Sequence, residues 1–263
     1  MTSAAKHQPA DPRRTALVTG AADRVGAAIA RRLAAEGWAV VIHYRSSAGR
    51  AEELASGIRA AGGLAETVSA DLANRTDRAG LIAAASGLFG PLTLLVNNAS
   101  LFERDAVADL DEALWDAHFA VHVEAPAFLS RDFAVQLPAC ATGNIINIVD
   151  ERVLDLSPAY FSYTLSKSAL WTMTRTLAQS LAPRIRVNAI APGPTVPPPH
   201  VTPEAHARRL TELPLGMSAD AEGIADGILA ILGLPAMTGQ MIALDGGEHI
   251  EWPERRGPTP RRR

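Results

Sequence analysis

The sequence predicts an α/β protein, a parallel sheet covered by helices on both faces. Three observations predict it. Seven short runs rich in Val, Ile and Leu alternate with Ala-rich helical patterns, so each strand is joined to the next by a helical crossover. The strand runs are apolar at successive positions, as in strands buried on both faces. No linker divides the chain and no repeat recurs, and 263 residues suit a single α/β domain with a large core.

The first strand is expected at 15–19, "TALVT", ended by Gly20, with a helix at 25–36. "AVVIHY" (39–44) and a helix at 48–61 form the next unit, then "AETVS" (65–69) and a helix at 75–88. "TLLV" (93–96) precedes a long helical pattern at 112–137, and "NIINIV" (144–149) precedes another at 160–181. "IRVNAI" (185–190) leads into the longest irregular stretch, 192–214. Its prolines forbid regular helix at the start, although 203–212 suits a short one, and its place after a strand's C-terminal end suits a substrate lid. A helix at 219–232 and a last strand, "QMIAL" (240–244), complete the domain, which spans 14–250.

Residues 1–13 have no apolar core, which excludes a secretory signal, and they are expected to be a disordered leader. The Pro-rich basic tail, 251–263, is expected to be a solvated end. No segment approaches the roughly 20 apolar residues of a membrane span. A net charge of −3 gives no overall attraction to nucleic acid or anionic membrane. Cys140 is alone, so an intramolecular disulfide is impossible and a reducing cytoplasm is the simplest setting. No metal site is expected.

Between the first strand and helix, "TGAADRVG" sets Gly20 and Gly26 around a turn. A helix N-terminus carries unpaired N–H groups and partial positive charge, which suit a pyrophosphate, and glycine lets backbone approach it. Arg24, beside Val25, stands where such turns usually carry no side chain, and a cation there is unfavourable without an anion. The second strand ends "HYRSS": Tyr44, Arg45, Ser46 and Ser47 occupy the place where NAD-binding proteins carry an acid for the ribose hydroxyls. A guanidinium holds a 2′-phosphate by charge-assisted bonds, so Arg45 points to NADPH, with Arg24 reaching the same phosphate or the adenine face. Asp71 and Leu72 follow the third strand, where a short acid can meet the adenine amine. Asn98, Ala99 and Ser100 ("NNAS") follow the fourth, where small residues let backbone pass the ribose. Either stretch could also be an ordinary strand-end turn.

"YTLSK" places Tyr163 and Lys167 four residues apart, one helical turn, on the same face. An ammonium beside a phenol lowers the phenol's pKa and makes it a usable proton donor near neutrality. With the glycine turn, "NNAS" and "APGP" (191–194), this order and spacing resembles the short-chain dehydrogenases/reductases across nearly all of 14–250. The resemblance implies a Rossmann-like, doubly wound sheet of seven parallel strands, hydride transfer from a nicotinamide, a small-molecule substrate and a homotetramer. It implies that Tyr163 is the acid and that Lys167 tunes it and holds the nicotinamide ribose. Asn98, Pro192 and Gly193 would line the cofactor.

Two positions depart from that family's pattern. Asp150 stands thirteen residues before Tyr163, where the family has serine, and His122 stands at the place of its helix asparagine. His122 either holds a water or packs in the helix. A carboxylate about 4 Å from Tyr163 opposes its phenolate by roughly 4 kcal/mol at an effective dielectric near 20, or about three pKa units. The site is therefore expected to keep and donate protons, which favours reduction, and basic ring nitrogens would find the anion welcome. That profile resembles the pteridine reductase branch, through the arginine of "AADRVG", "HYRS", Phe102 after "NNAS", the "VD" carrying Asp150, and Tyr160. The resemblance implies that Phe102 stacks a pterin against the nicotinamide, with Ser100, Asp150, Tyr160 and Tyr163 also meeting substrate. The expected activity is NADPH-dependent reduction of dihydropterins or dihydrofolate. A carbonyl reductase of the same family is the nearest rival, opposed by the loss of the serine that normally bonds the carbonyl oxygen. An NADPH-binding sensor without turnover is opposed by the intact Tyr163–Lys167 pair.

Overall fold

The computed structural model describes residues 14–197 and 201–250. The expected leader, 1–13, and basic tail, 251–263, lie outside the described residues, as do 198–200 in the long loop. Seven strands are formed: β1 (Thr15–Val18), β2 (Ala39–Tyr44), β3 (Leu64–Ser69), β4 (Leu94–Asn97), β5 (Gly143–Ile148), β6 (Ile185–Pro192) and β7 (Met241–Leu244). All pair in parallel, in the order β3-β2-β1-β4-β5-β6-β7. The order reverses between β1 and β4, and the crevice at the C-terminal ends of such a pair is where doubly wound sheets hold ligands.

Side chains alternate along each strand, so an all-apolar strand feeds two cores. Ala16, Val18, Val40, Ile42, Leu94 and Val96 face one layer with α1 (Arg24–Ala35), α2 (Ala48–Ala60) and α8 (Ala221–Leu232). Leu17, Val41, Leu95 and Ile145 face the other, with α3 (Arg75–Phe89), α5 (Ala125–Gln136) and α6 (Phe161–Leu181). Short polar side chains start the helices: Asp23 for α1, Asn74 for α3 and Asp220 for α8 each accept a backbone N–H of the first turn. The short helix in the long loop is α7 (Pro203–Glu212), opened by Thr202 and Pro203.

One expected element is corrected. The single helix over 112–137 is divided into α4 (Glu112–Phe119) and α5 by a wider π turn at Ala120–Glu124, where the Ala125 N–H donates to the Ala120 carbonyl. Pro126 has no N–H to offer the His122 carbonyl, so the ladder is interrupted there and the turn widens. His122 sits inside that widened turn, facing the sheet's C-terminal edge through its partners described below.

Candidate active site

The turn after β1 is built from backbone. Gly20 has φ of 61°, and a Cβ there would lie 2.9 Å from Ala99 Cα. A Cβ on Gly26 would lie 2.5 Å from the Gly20 carbonyl oxygen, so the turn, the end of β4 and the start of α1 close on one another only without side chains. Asp23 takes the Arg24 N–H, and no acidic residue lies within the first turn of α1 itself, so its next N–H groups suit an anion such as a pyrophosphate. His43 pins the turn: its Nδ1 accepts the Gly20 N–H at 3.0 Å, so its Nε2 carries the proton donated to the Ala70 carbonyl. Burial holds His43 neutral, its pKa lowered to about 4.

Asn98 Nδ2 donates to the Thr19 and Gly20 carbonyls, and the N–H groups of Asn98 and Ala99 donate to the Thr19 hydroxyl. Tyr44 accepts the Ala70 N–H through its carbonyl at the end of β2, and Arg45 and Ser46 follow it, exposed. Asp71 turns back to the Ala73 N–H, while Leu72 is buried. Pro192 ends β6, and Gly193 packs against Asp245, where a Cβ would lie 2.7 Å from Asp245 Cα. Arg24 takes a direction the sequence did not suggest. Its guanidinium donates to the Val196 carbonyl at 2.9 Å, beyond β6 and on the other side of the crevice from Arg45. Arg50, in the first turn of α2, pairs with Asp23 at the start of α1.

The chemical centre gathers at the C-terminal ends of β4 and β5. The Tyr163 hydroxyl donates to Asp150 Oδ2 at 2.7 Å, and Lys167 Nζ donates to the Ile148 carbonyl at 2.8 Å, 5.8 Å from the Tyr163 ring centre. Phe102 meets the Tyr163 ring edge-on at 4.9 Å and lies stacked on Tyr160 at 4.6 Å. Tyr160 holds a left-handed φ of 62° at the start of α6, a strained backbone for a bulky residue.

His122 uses both ring nitrogens on protein. Nε2 accepts the Leu101 N–H at 3.1 Å and is 3.0 Å from the Ser100 hydroxyl. Its proton therefore sits on Nδ1, 2.8 Å from the Ser166 hydroxyl, which in turn donates to the Tyr163 carbonyl. Burial keeps His122 neutral, its pKa well below the usual histidine value. Of the two roles open to it, the packing role is the one these bonds fill.

The charges are corrected in one respect. The Tyr163 pKa is raised well above 10, first by burial and only then by Asp150. Arg152 and Ser100 are the largest causes lowering it. Lys167 itself is lowered to about 8, chiefly by burial, against the pull of Asp150.

Sequence spacing missed several partners. Arg152 donates twice to Asp150 Oδ1, from its main-chain N–H at 3.0 Å and Nη1 at 3.1 Å. His118 lies buried against the Tyr163 ring edge at 5.8 Å, its Nδ1 2.7 Å from the Ser162 hydroxyl, while Asp105 accepts the Ser162 N–H. Only the proximity of "DERV" to Asp150 could have pointed to Arg152. Glu151 is buried, its pKa raised to about 8 by burial first, then by Asp150 and Glu248.

Glu151 yields a stability prediction. Between about pH 4.5 and pH 8 the folded state holds a Glu151 proton that the unfolded chain has lost, so the parent loses stability as pH rises. Glu151→Gln lacks this dependence. The variant's unfolding free energy, relative to the parent, should rise by at most ~1.4 kcal/mol per pH unit across that window and level off above it. Denaturant melts at pH 5, 6.5 and 8 check this; a difference constant with pH refutes it.

A cavity of about 570 Å³, lined by Arg14, Trp38, Thr93 and Asn144 among others, opens at the opposite, N-terminal ends of the strands. That end of a parallel sheet is not where its ligands gather.

The short chain dehydrogenase family model matches residues 14–207. FolM alternative dihydrofolate reductase 1 from Brucella suis, crystallised in complex with NADP, is 49% identical, with a TM-score of 0.88 over 91% of this chain and 96% of that one. The Brucella canis protein, complexed with NADP, is 48% identical, with a TM-score of 0.87 over 94% and 96% of the two chains. An uncharacterized oxidoreductase of Methylorubrum extorquens is 36% identical over 243 residues, 89% of this chain and 97% of its own length.

Proposed function

The chain belongs to the short-chain dehydrogenase family, and from that premise we propose that it reduces dihydropterins or dihydrofolate with NADPH. It is an oxidoreductase that uses NADP(H). The observation that carries the substrate reading is the 2.7 Å bond from Tyr163 to Asp150, flanked by Phe102. A buried phenol whose pKa is held high keeps its proton until a basic ring nitrogen takes it. A bound NADPH supplies the hydride. Gly20, Val25 and Gly26 would meet its pyrophosphate, Asn98 to Ser100 its ribose, and Lys167 the nicotinamide ribose. Phe102 and Tyr160 would receive a flat heterocycle. The likeness to the Brucella reductases supports the same substrate class. The reading extends to a cytoplasmic homotetramer; among the described residues no helix is long and apolar enough to cross a membrane.

The test is a turnover comparison with NADPH on dihydrobiopterin, dihydromonapterin, dihydrofolate and a ketone panel. The kcat/KM for a pterin should exceed that of every ketone; the reverse order makes the protein a carbonyl reductase. For the cofactor, Arg45→Ala should weaken NADPH by on the order of 2–3 kcal/mol, a charge-assisted bond's worth, and leave NADH nearly unchanged. Fluorescence titration of both cofactors measures this, and equal parental affinities would refute the 2′-phosphate assignment.

A further inference from the structure

Arg152 is the group at this centre that no motif marks. It holds one oxygen of Asp150 from both main chain and side chain, which leaves the other oxygen to the Tyr163 hydroxyl. Its Nη1 is also 3.3 Å from Glu151 Oε1. Its guanidinium carbon lies 5.3 Å and 5.1 Å from the Phe102 and Tyr160 ring centres. The cation thus sits between carboxyl groups and an aromatic pair, half-buried.

The proton step makes a demand that Lys167 alone does not meet. The substrate takes a hydride at carbon from the bound cofactor and a proton at the adjacent nitrogen from Tyr163. The O–H electron pair stays on Tyr163, so a phenolate forms at hydrogen-bond distance from a carboxylate. Two anions that close repel strongly in a partly dry site. Lys167 stands on the Ile148 side, one cation facing two negative charges. We propose that Arg152 is a positioning residue that orients Asp150 and balances its charge, so that Tyr163 can release its proton beside a carboxylate. Lys167 then answers the phenolate and Arg152 the carboxylate. The electrostatics agree in sign, since Arg152 opposes the upward push of Asp150 on Tyr163. Solvent returns the proton before the next turnover. The proposal rests on the reading of Tyr163 as the donor.

The experiment is a double-mutant cycle on the full chain with saturating NADPH and a dihydropterin. Arg152→Gln should lower kcat by roughly 10- to 100-fold, with a smaller change in KM and a larger solvent isotope effect on kcat. In an Asp150→Asn background, with no carboxylate left to balance, the same substitution should change kcat by less than about threefold. An equal loss in both backgrounds, or a loss confined to KM, overturns the proposal. Should Arg152→Gln fail to fold, Arg152→Lys carries the test in the same two backgrounds. It keeps the charge but not the planar fork, so whatever kcat it loses in the parent must shrink to less than about threefold with Asp150→Asn, and an equal loss in both overturns the proposal. Tyr163→Phe in the same assay separates the two readings. If it stays active the donor assignment fails; if it is inactive while the cycle is additive, only the role of Arg152 fails.

Discussion

Tyr163→Phe should bind NADPH like the parent and turn over roughly 100-fold or more slowly, the scale of a lost general acid. The substitution removes one oxygen and keeps the ring. Ring contacts with Phe102, His118 and His122 all involve the ring itself, so packing around it should survive. What disappears is the single donor bond to Asp150 and the proton it carries. Cofactor affinity by fluorescence and turnover by NADPH absorbance, measured on one preparation, separate a chemical defect from a folding defect. Near-parental turnover would require Asp150 or a water to be the donor.

Asp150→Ser should divide the substrates. A carboxylate that serves a basic ring nitrogen is lost, so pterin reduction should fall by roughly tenfold or more in kcat/KM, about 1.4 kcal/mol of transition-state stabilisation. Ketone reduction should hold or improve. Serine returns a hydroxyl suited to a carbonyl oxygen, and one of the causes raising the Tyr163 pKa disappears, although burial remains. The ratio of the two rates is the informative quantity, because a general loss of stability lowers both together. If both fall by the same factor, the carboxylate has no substrate-specific part and the carbonyl-reductase reading gains.

The sheet was legible because its signal is local. Val18 and Leu17 sit side by side in sequence and feed opposite cores, a pattern that only a doubly covered strand needs. Tyr163 and Lys167 were legible for a similar reason, one helical turn joining them. The site's other contacts come from long-range closure. Arg24 meets Val196 across 172 residues, and spacing does not encode which way a long side chain will turn there. Tyr163 and His118 come together only when α4 and α6 pack, so the buried histidine went unseen. The dominance of burial over charge at Tyr163 follows from the depth of its pocket, which no motif states.

Two of the described residues other than glycine hold a left-handed backbone, Arg24 at φ 52° and Tyr160 at φ 62°. Each stands at the mouth of the crevice, and glycine would relieve roughly 1–2 kcal/mol of steric conflict at either place. A population of variants screened only for survival of heat would therefore drift toward glycine at these two positions. It would shed the guanidinium that reaches Val196 and the ring that stacks on Phe102. Screening for thermal robustness and screening for turnover would pull these codons in opposite directions, and a breeding scheme for a hardier catalyst should hold both fixed.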